Sequence, residues 1–186
     1  PYYLQSKILY ERNKQNFHDE LKFNKISDKN IKFAKFIIGC LFDTKSLSFY
    51  SYTTHKQSQY FQKNFSKDIW SAYEKITLKL LSASLSEKEI LILVADHVTT
   101  QKDIKFEVNV KKDFNKSKKR LALSGVCRFN SKSNDLLQVV DLLIGAITYD
   151  LKIQSKLVTG DKYKIELVNY LKENLGTIDF VNGFKN

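Results

Sequence analysis

The sequence predicts an α/β fold, a mixed sheet flanked by helices. Three observations carry that prediction. Short apolar or Tyr/Phe/Thr-rich runs alternate with longer stretches of helical periodicity. One of the short runs, ILILVA at Ile90–Ala95, is continuously apolar, as a central strand buried on both faces would be. The stretch Ser133–Leu151 reads as one core helix, apolar around nearly its whole circumference.

In chain order, Leu4–Phe17 carries Ile8, Leu9 and Phe17 among polar residues and is read as a helix. His18–Ser27 is a loop or a short extended piece. Ser27 caps a helix running to about Phe42, with Ile31, Ala34, Phe36, Ile37, Ile38 and Leu41 apolar. Leu47–Thr54 has the Tyr, Phe and Thr content of a strand. Ser66 caps a helix to about Leu85, on which Ile69, Tyr73, Ile76, Leu80 and Ala83 recur at helical spacing. After the Ile90–Ala95 strand, Asp103–Lys116 reads as a helix and Leu121–Phe129 as a strand. The core helix follows. A final helix, Lys162–Leu175, ends at Gly176 as its C′ residue. Thr177–Asn186 is a short strand or a docking tail.

The core helix holds a chemical anomaly. Leu136, Leu137, Val139, Val140, Leu142, Leu143, Ile144 and Ile147 surround Asp141, with Ser133 as N-cap and Asp135 in the first turn. A buried carboxylate must be hydrogen-bonded, paired or neutralised. Its partner is a Lys or Arg, backbone donors, or a metal ion. Gly145, four residues on, clears space beside the carboxylate for a ligand or another backbone.

A chain of 186 residues suits one domain spanning 1–186. No apolar run approaches the roughly 18 residues of a membrane span, and no secretory signal is visible. Cys40 and Cys127 sit in apolar surroundings outside any CxxC pattern, which reads as reduced, buried thiols of a cytoplasmic protein. The three histidines are scattered, against a zinc site. The chain contains no methionine and opens on Pro1, so either an initiator Met has been removed or the chain is a piece of something longer.

Lys plus Arg number 31 against 20 Asp plus Glu, a net charge of +11. The densest run is Lys111, Lys112, Lys116, Lys118, Lys119 and Arg120. That balance favours a polyanionic partner, nucleic acid being the usual one; the alternative is a lysine-rich surface that is merely solvated. Tyr and Phe interleave with Lys across Phe49–Tyr60. They could stack bases, although a half-buried strand explains them more economically.

Three acids are candidates for chemistry: Asp96 at the carboxyl end of a strand, Asp141 on the core helix, and Glu20 in Glu20–Leu21–Lys22. Acids from a strand end and a helix that converge at one sheet edge would hold Mg²⁺ or Mn²⁺ for phosphoryl transfer, with basic residues on the phosphate backbone. Asp96 alone also fits a turn-initiating Asp, and His97 beside it fits either a general base or a solvated side chain. Glu20–Leu21–Lys22 as the E-x-K of a restriction-type nuclease needs another acid on a preceding strand, and the sequence offers no such strand.

The order ELKFNKIS (Glu20–Ser27), ILILVADHV (Ile90–Val98) and NDLLQVVDLLIGAI (Asn134–Ile147) resembles a bacterial, archaeal and phage family, domain of unknown function 3800, which has a ribonuclease-H-like fold. The resemblance extends over most of the chain and is most specific at Leu136–Ala146. It implies a metal-dependent nuclease site. Asp96 and Asp141 would be ligands for Mg or Mn, Glu20 would assist as one of the matching E-L-K positions, and Lys22 and Gln138 would contact substrate; Lys111, Lys112 and Lys119 are added as substrate contacts from the basic run, not from the resemblance. Gln138 would alternatively orient Asp141. Family members begin with a strand bearing an Asp-Glu-Ser-Gly-like motif that supplies the first ligand; nothing here matches it. The resemblance therefore leaves two expectations: a nuclease, or a catalytically degenerate nucleic-acid-binding or protein-interaction subunit. An absent first strand would leave an exposed sheet edge for a partner strand or a homo-oligomer.

Overall fold

The computed structural model describes residues 2–65, 68–97 and 105–181. They form, in chain order, α1 (Tyr2–Gln15), α2 (Ile31–Phe42), α3 (Gln59–Phe65), α4 (Ile69–Ser84), β1 (Leu91–Asp96), α5 (Phe106–Lys118), β2 (Leu123–Phe129), α6 (Asp135–Gln154) and α7 (Lys162–Leu175). The fold is α/β, with a small sheet of two parallel strands rather than the expected mixed sheet. In place of one core, the chain divides into two compact units, residues 1–49 with 131–186, and residues 50–130.

The first unit is helical. Its core is built from Leu4 and Ile8 of α1, Phe33, Ile37 and Ile38 of α2, Leu142, Leu143 and Ala146 of α6, and Leu167 and Leu171 of α7. These residues recur at three- and four-residue spacing, which places each set on one helix face. Asn134 rather than Ser133 caps α6, its side chain accepting from the Leu137 amide at 3.1 Å. Asp161 caps α7 by accepting from the amides of Tyr163 and Lys164. Gly176 closes α7 in the left-handed conformation, φ 62°, as its sequence position predicts. Phe180 docks its ring in the core, so the tail is a docking segment as far as residue 181; residues 182–186 lie outside the described residues.

The second unit holds the sheet. Leu93 pairs with Val126 and Val94 with Cys127, and α5 connects the two strands. Phe106, Val110 and Phe114 of α5 pack with Leu81, Ala122 and Leu123 against one sheet face. Asn115 ties the end of α5 to β2: it accepts from the amides of Ala122 and Leu123 and donates to the Leu123 carbonyl. Lys119, at φ 52°, ends the helix.

Several expectations are corrected. β1 is not buried on both faces: Ile92 (67 % exposed) and Val94 alternate with half-buried Leu91 and Leu93. The α5 layer covers one face only, and Cys127, expected to be buried, is exposed on the other. Leu47–Thr54 forms no strand. Its β-favouring composition has no partner strand there, and Leu47 and Phe49 pack instead against the first unit's core. Ser66, expected to cap α4, lies outside the described residues; Asp68 caps that helix through the Trp70 amide. The expected start of α5 at Asp103 also falls outside them. Among the described residues no helix is long and apolar enough to cross a membrane.

Gly145 is required by packing. A Cβ there would fall inside the contact radius of Phe23 Cβ and Cγ. The space beside Asp141 is therefore filled by this protein's own Phe23. Gly145→Ala should destabilise the fold by about 1–3 kcal/mol, the usual cost of overpacking. Denaturant titration checks this; an unchanged midpoint would show that Phe23 does not depend on the glycine.

Candidate functional site

The segment between α1 and α2 is fixed to α6 by side chains of α1 and α6. Arg12 is the centre of this arrangement and is 7 % exposed. Its Nε and Nη2 donate to Asp135 Oδ1 at 3.0 and 2.8 Å. Nη1 donates to the carbonyls of Phe17 and Asp19, and Nη2 also reaches Gln138 Oε1 at 2.8 Å. All the donors of a guanidinium are thus engaged. Its plane also lies near the rings of Phe17 and Phe33.

Gln138 continues the connection. It is buried; Oε1 also accepts from the Leu21 amide at 2.8 Å, and Nε2 donates to the Ser131 carbonyl at 2.8 Å. Its amide is committed to the chain's own backbone, so its role is positioning the Glu20–Phe23 segment. One turn on, Asp141 Oδ2 accepts from the Phe23 amide at 2.8 Å. Asp141 is exposed rather than buried: Val140 and Ile144 beside it are 43 % and 52 % exposed, and the apolar face of α6 lies elsewhere. Of the three partners the sequence allows Asp141, a backbone donor is the one observed.

The buried carboxylate of α6 is Asp150. It pairs with Lys172 at 2.7 Å and accepts from Gln154 at 2.7 Å. The sequence carried a signal for it, since Asp150 follows Val139, Leu143 and Ala146 at helical spacing on the buried stripe.

Glu20 Oε1 accepts from Ser131 Oγ at 3.0 Å and from Lys22 Nζ at 3.1 Å. Burial pushes its carboxyl up, but the hydrogen bonds from Lys22 and Ser131 and the attraction of Lys22 and Lys25 outweigh burial and hold it below its ordinary value. The carboxylate is therefore ionised and locally neutralised. Around it lies a recess of about 610 Å³ lined by His18, Asp19, Glu20, Lys25, Lys29, Asn30 and Lys132, among others. Asn30 shapes its wall, accepting from the Ser27 amide and donating to the Lys25 carbonyl. Counting Lys22, four lysines meet two carboxylates here, so the field at the recess is positive.

Asp96 lies at the carboxyl end of β1, as the sequence predicts, and Oδ1 accepts from the His97 amide. It belongs to the second unit, whereas Glu20, Gln138 and Asp141 belong to the first. Lys111 and Lys112 line a separate recess of about 480 Å³ with Glu107, Val108, Gly125 and Val126. Glu107 is paired with Arg128. The side chain of Lys119 is exposed at the end of α5.

A Mg²⁺ or Mn²⁺ site needs several oxygen ligands in one place. Among the described residues no three acidic, His or Cys side chains are grouped to hold a metal. Glu20 and Asp141 each give an oxygen to a protein donor. No chemical step follows from these carboxylates alone. Compared with known protein families, curated proteins and solved structures, the chain matches none.

Replacing Arg12 with Met should cost about 3 kcal/mol or more, because Gln138 and two carbonyls lose their donor in a largely buried setting. Thermal melting checks this; a melting temperature within a degree or so of wild type would mean that the guanidinium does not organise the segment.

Proposed function

We propose that this chain is a nucleic-acid-binding protein and that the lysine-rimmed recess of the first unit contacts the phosphate backbone. The observation that carries the reading is the recess itself. Lys25, Lys29 and Lys132 border it together with the carboxylates of Asp19 and Glu20, and Glu20 is held by Lys22 and Ser131. A net charge of +11 supplies the long-range attraction that steers a polyanion towards such a surface. Lys111, Lys112 and Lys119 would add backbone contacts in the second unit.

The sequence blocks resemble a ribonuclease-H-like family, and we take that scaffold, a finer form of the observed α/β class, as part of the proposal. On it, Gln138 and Asp141 hold the Glu20–Phe23 segment in place. The edges of the two-stranded sheet suit a partner strand, and the exposed apolar face of Ile92, Val94 and Phe129 suits a second copy of the chain, as further elements of this reading.

The reading predicts binding of labelled nucleic acid that weakens steeply and log-linearly with salt. Joint reversal of charge at Lys25, Lys29 and Lys132 should weaken binding roughly tenfold or more and flatten the salt slope. Fluorescence anisotropy checks both. Binding that ignores salt, or is indifferent to the three reversals, would remove the recess from the account.

A metal-dependent nuclease is the second reading. One observation favours it: Asp141 is exposed and only its Oδ2 is engaged among the described residues, leaving Oδ1 for a cation. The two readings separate at Asp141→Asn, whose carbonyl can still accept from the Phe23 amide. The binding reading expects this variant to bind nucleic acid as wild type does, with no cleavage by either protein in Mn²⁺. Mn²⁺-dependent cleavage by wild type that the variant lacks would establish the nuclease instead.

A further inference from the structure

Residues 49–60 form no strand; Tyr52 is half-buried and Tyr60 is exposed. Tyr52 and Tyr60 meet at the surface of the second unit, hydroxyl to hydroxyl at 3.3 Å. Lys79 of α4 donates to Tyr60 Oη at 2.8 Å and to Tyr52 Oη at 3.4 Å. Its ammonium also lies 5.0 and 5.5 Å from the two ring centroids. One helical turn away on the same face, Lys75 donates to the Asn64 carbonyl and lies 6.0 Å from the Phe65 ring. Tyr60 is 47 % exposed.

We infer that this cluster is a docking surface for single-stranded nucleic acid. The inference rests on the nucleic-acid-binding reading and assigns it a second contact point and a strand preference. Two chemical facts carry it. The Tyr60 oxygen lies within hydrogen-bond reach of both Lys79 and Tyr52. With Tyr52 and Lys79 donating, the Tyr60 O–H remains as a donor to the outside, with one or more Lys79 N–H groups beside it. The hydrogen bond from Lys79, then that from Tyr52, lowers the Tyr60 hydroxyl below its ordinary value, which strengthens it as a donor to an anionic oxygen. Donor and ammonium together suit a phosphate oxygen.

The second fact is the exposed Tyr60 ring, whose hydroxyl meets that of half-buried Tyr52. Tyrosine rings stack on unpaired bases, whereas bases in a duplex already stack on one another. Tyr60 is held at its hydroxyl by Lys79 and Tyr52 and at its ring by an edge contact with Phe65, so little of its side-chain freedom is lost on binding. An anionic membrane would match the charge, but the cluster itself presents no exposed aliphatic anchor to enter lipid. An acidic protein would need neither ring.

The test uses the full chain, a labelled oligothymidylate, a single-stranded RNA and a duplex of matched length. Tyr60→Ala and Tyr52→Ala should each weaken single-strand binding roughly tenfold while leaving duplex binding unchanged. Tyr60→Phe, which keeps the ring, should recover most of that loss, and Lys79→Ala should weaken single-strand binding with a reduced salt slope. Thermal melting of each variant identifies any that has lost its fold, and Lys79→Ala, read against the duplex control, decides the question if both alanine variants have. Wild type that binds single strands no better than variants lacking the rings overturns this inference and leaves the recess reading standing. Wild type that binds no nucleic acid at all overturns both. Losses confined to anionic vesicles, with single-strand binding intact, would reassign the surface to a membrane.

Discussion

Arg12 is the interaction on which the first unit depends. A guanidinium removed from water needs partners for every N–H, and here they come from the segment just after its own helix and from the first turns of α6. Each partner is fixed in turn. Asp135 lies at the start of α6, Gln138 one turn later, and the carbonyls of Phe17 and Asp19 define the path of the chain as it leaves α1. Neutral side chains of equal volume would fill the same space but would not set that path, because only the donor geometry specifies which oxygens lie where.

From that anchor the Glu20–Phe23 segment is laid along α6 by alternate means. Leu21 gives its amide to Gln138, Phe23 gives its amide to Asp141, and the Phe23 ring enters the notch at Gly145. Between them Glu20 and Lys22 pair on the accessible side. A backbone held at every second residue presents its intervening side chains in a fixed order. The Glu20 carboxylate is thereby committed to an internal pair with Lys22.

How legible this was varies by element. The helices of the first unit and the Gly176 stop were readable because long segments with strong periodicity and a glycine terminator leave few alternatives. The Leu47–Thr54 strand was misread because Tyr, Phe and Thr content reports a half-buried surface, not a pairing partner. Ile90–Asp96 is a strand, but its continuous apolarity did not reveal that only one face is covered, since exposed Ile92 and Val94 look the same in sequence as buried ones. Asp141 was misplaced for a related reason: Val140 and Ile144 flank it, and both are exposed. The LLQ-x-x-D spacing drew attention to Gln138 and Asp141. What it could not tell was that their partners are backbone amides over a hundred positions earlier. Arg12 escaped notice because a lone arginine on a polar helix carries no local mark of burial.

The most direct test of the central claim is a map of amide resonances of the whole chain titrated with nucleic acid at low salt. The account predicts perturbations at His18, Lys25, Lys29, Asn30 and Lys132 that reverse as salt is raised, with the buried stripe of α6 from Leu142 to Asp150 unmoved. Perturbations that bypass the recess, or that persist in high salt, would contradict it.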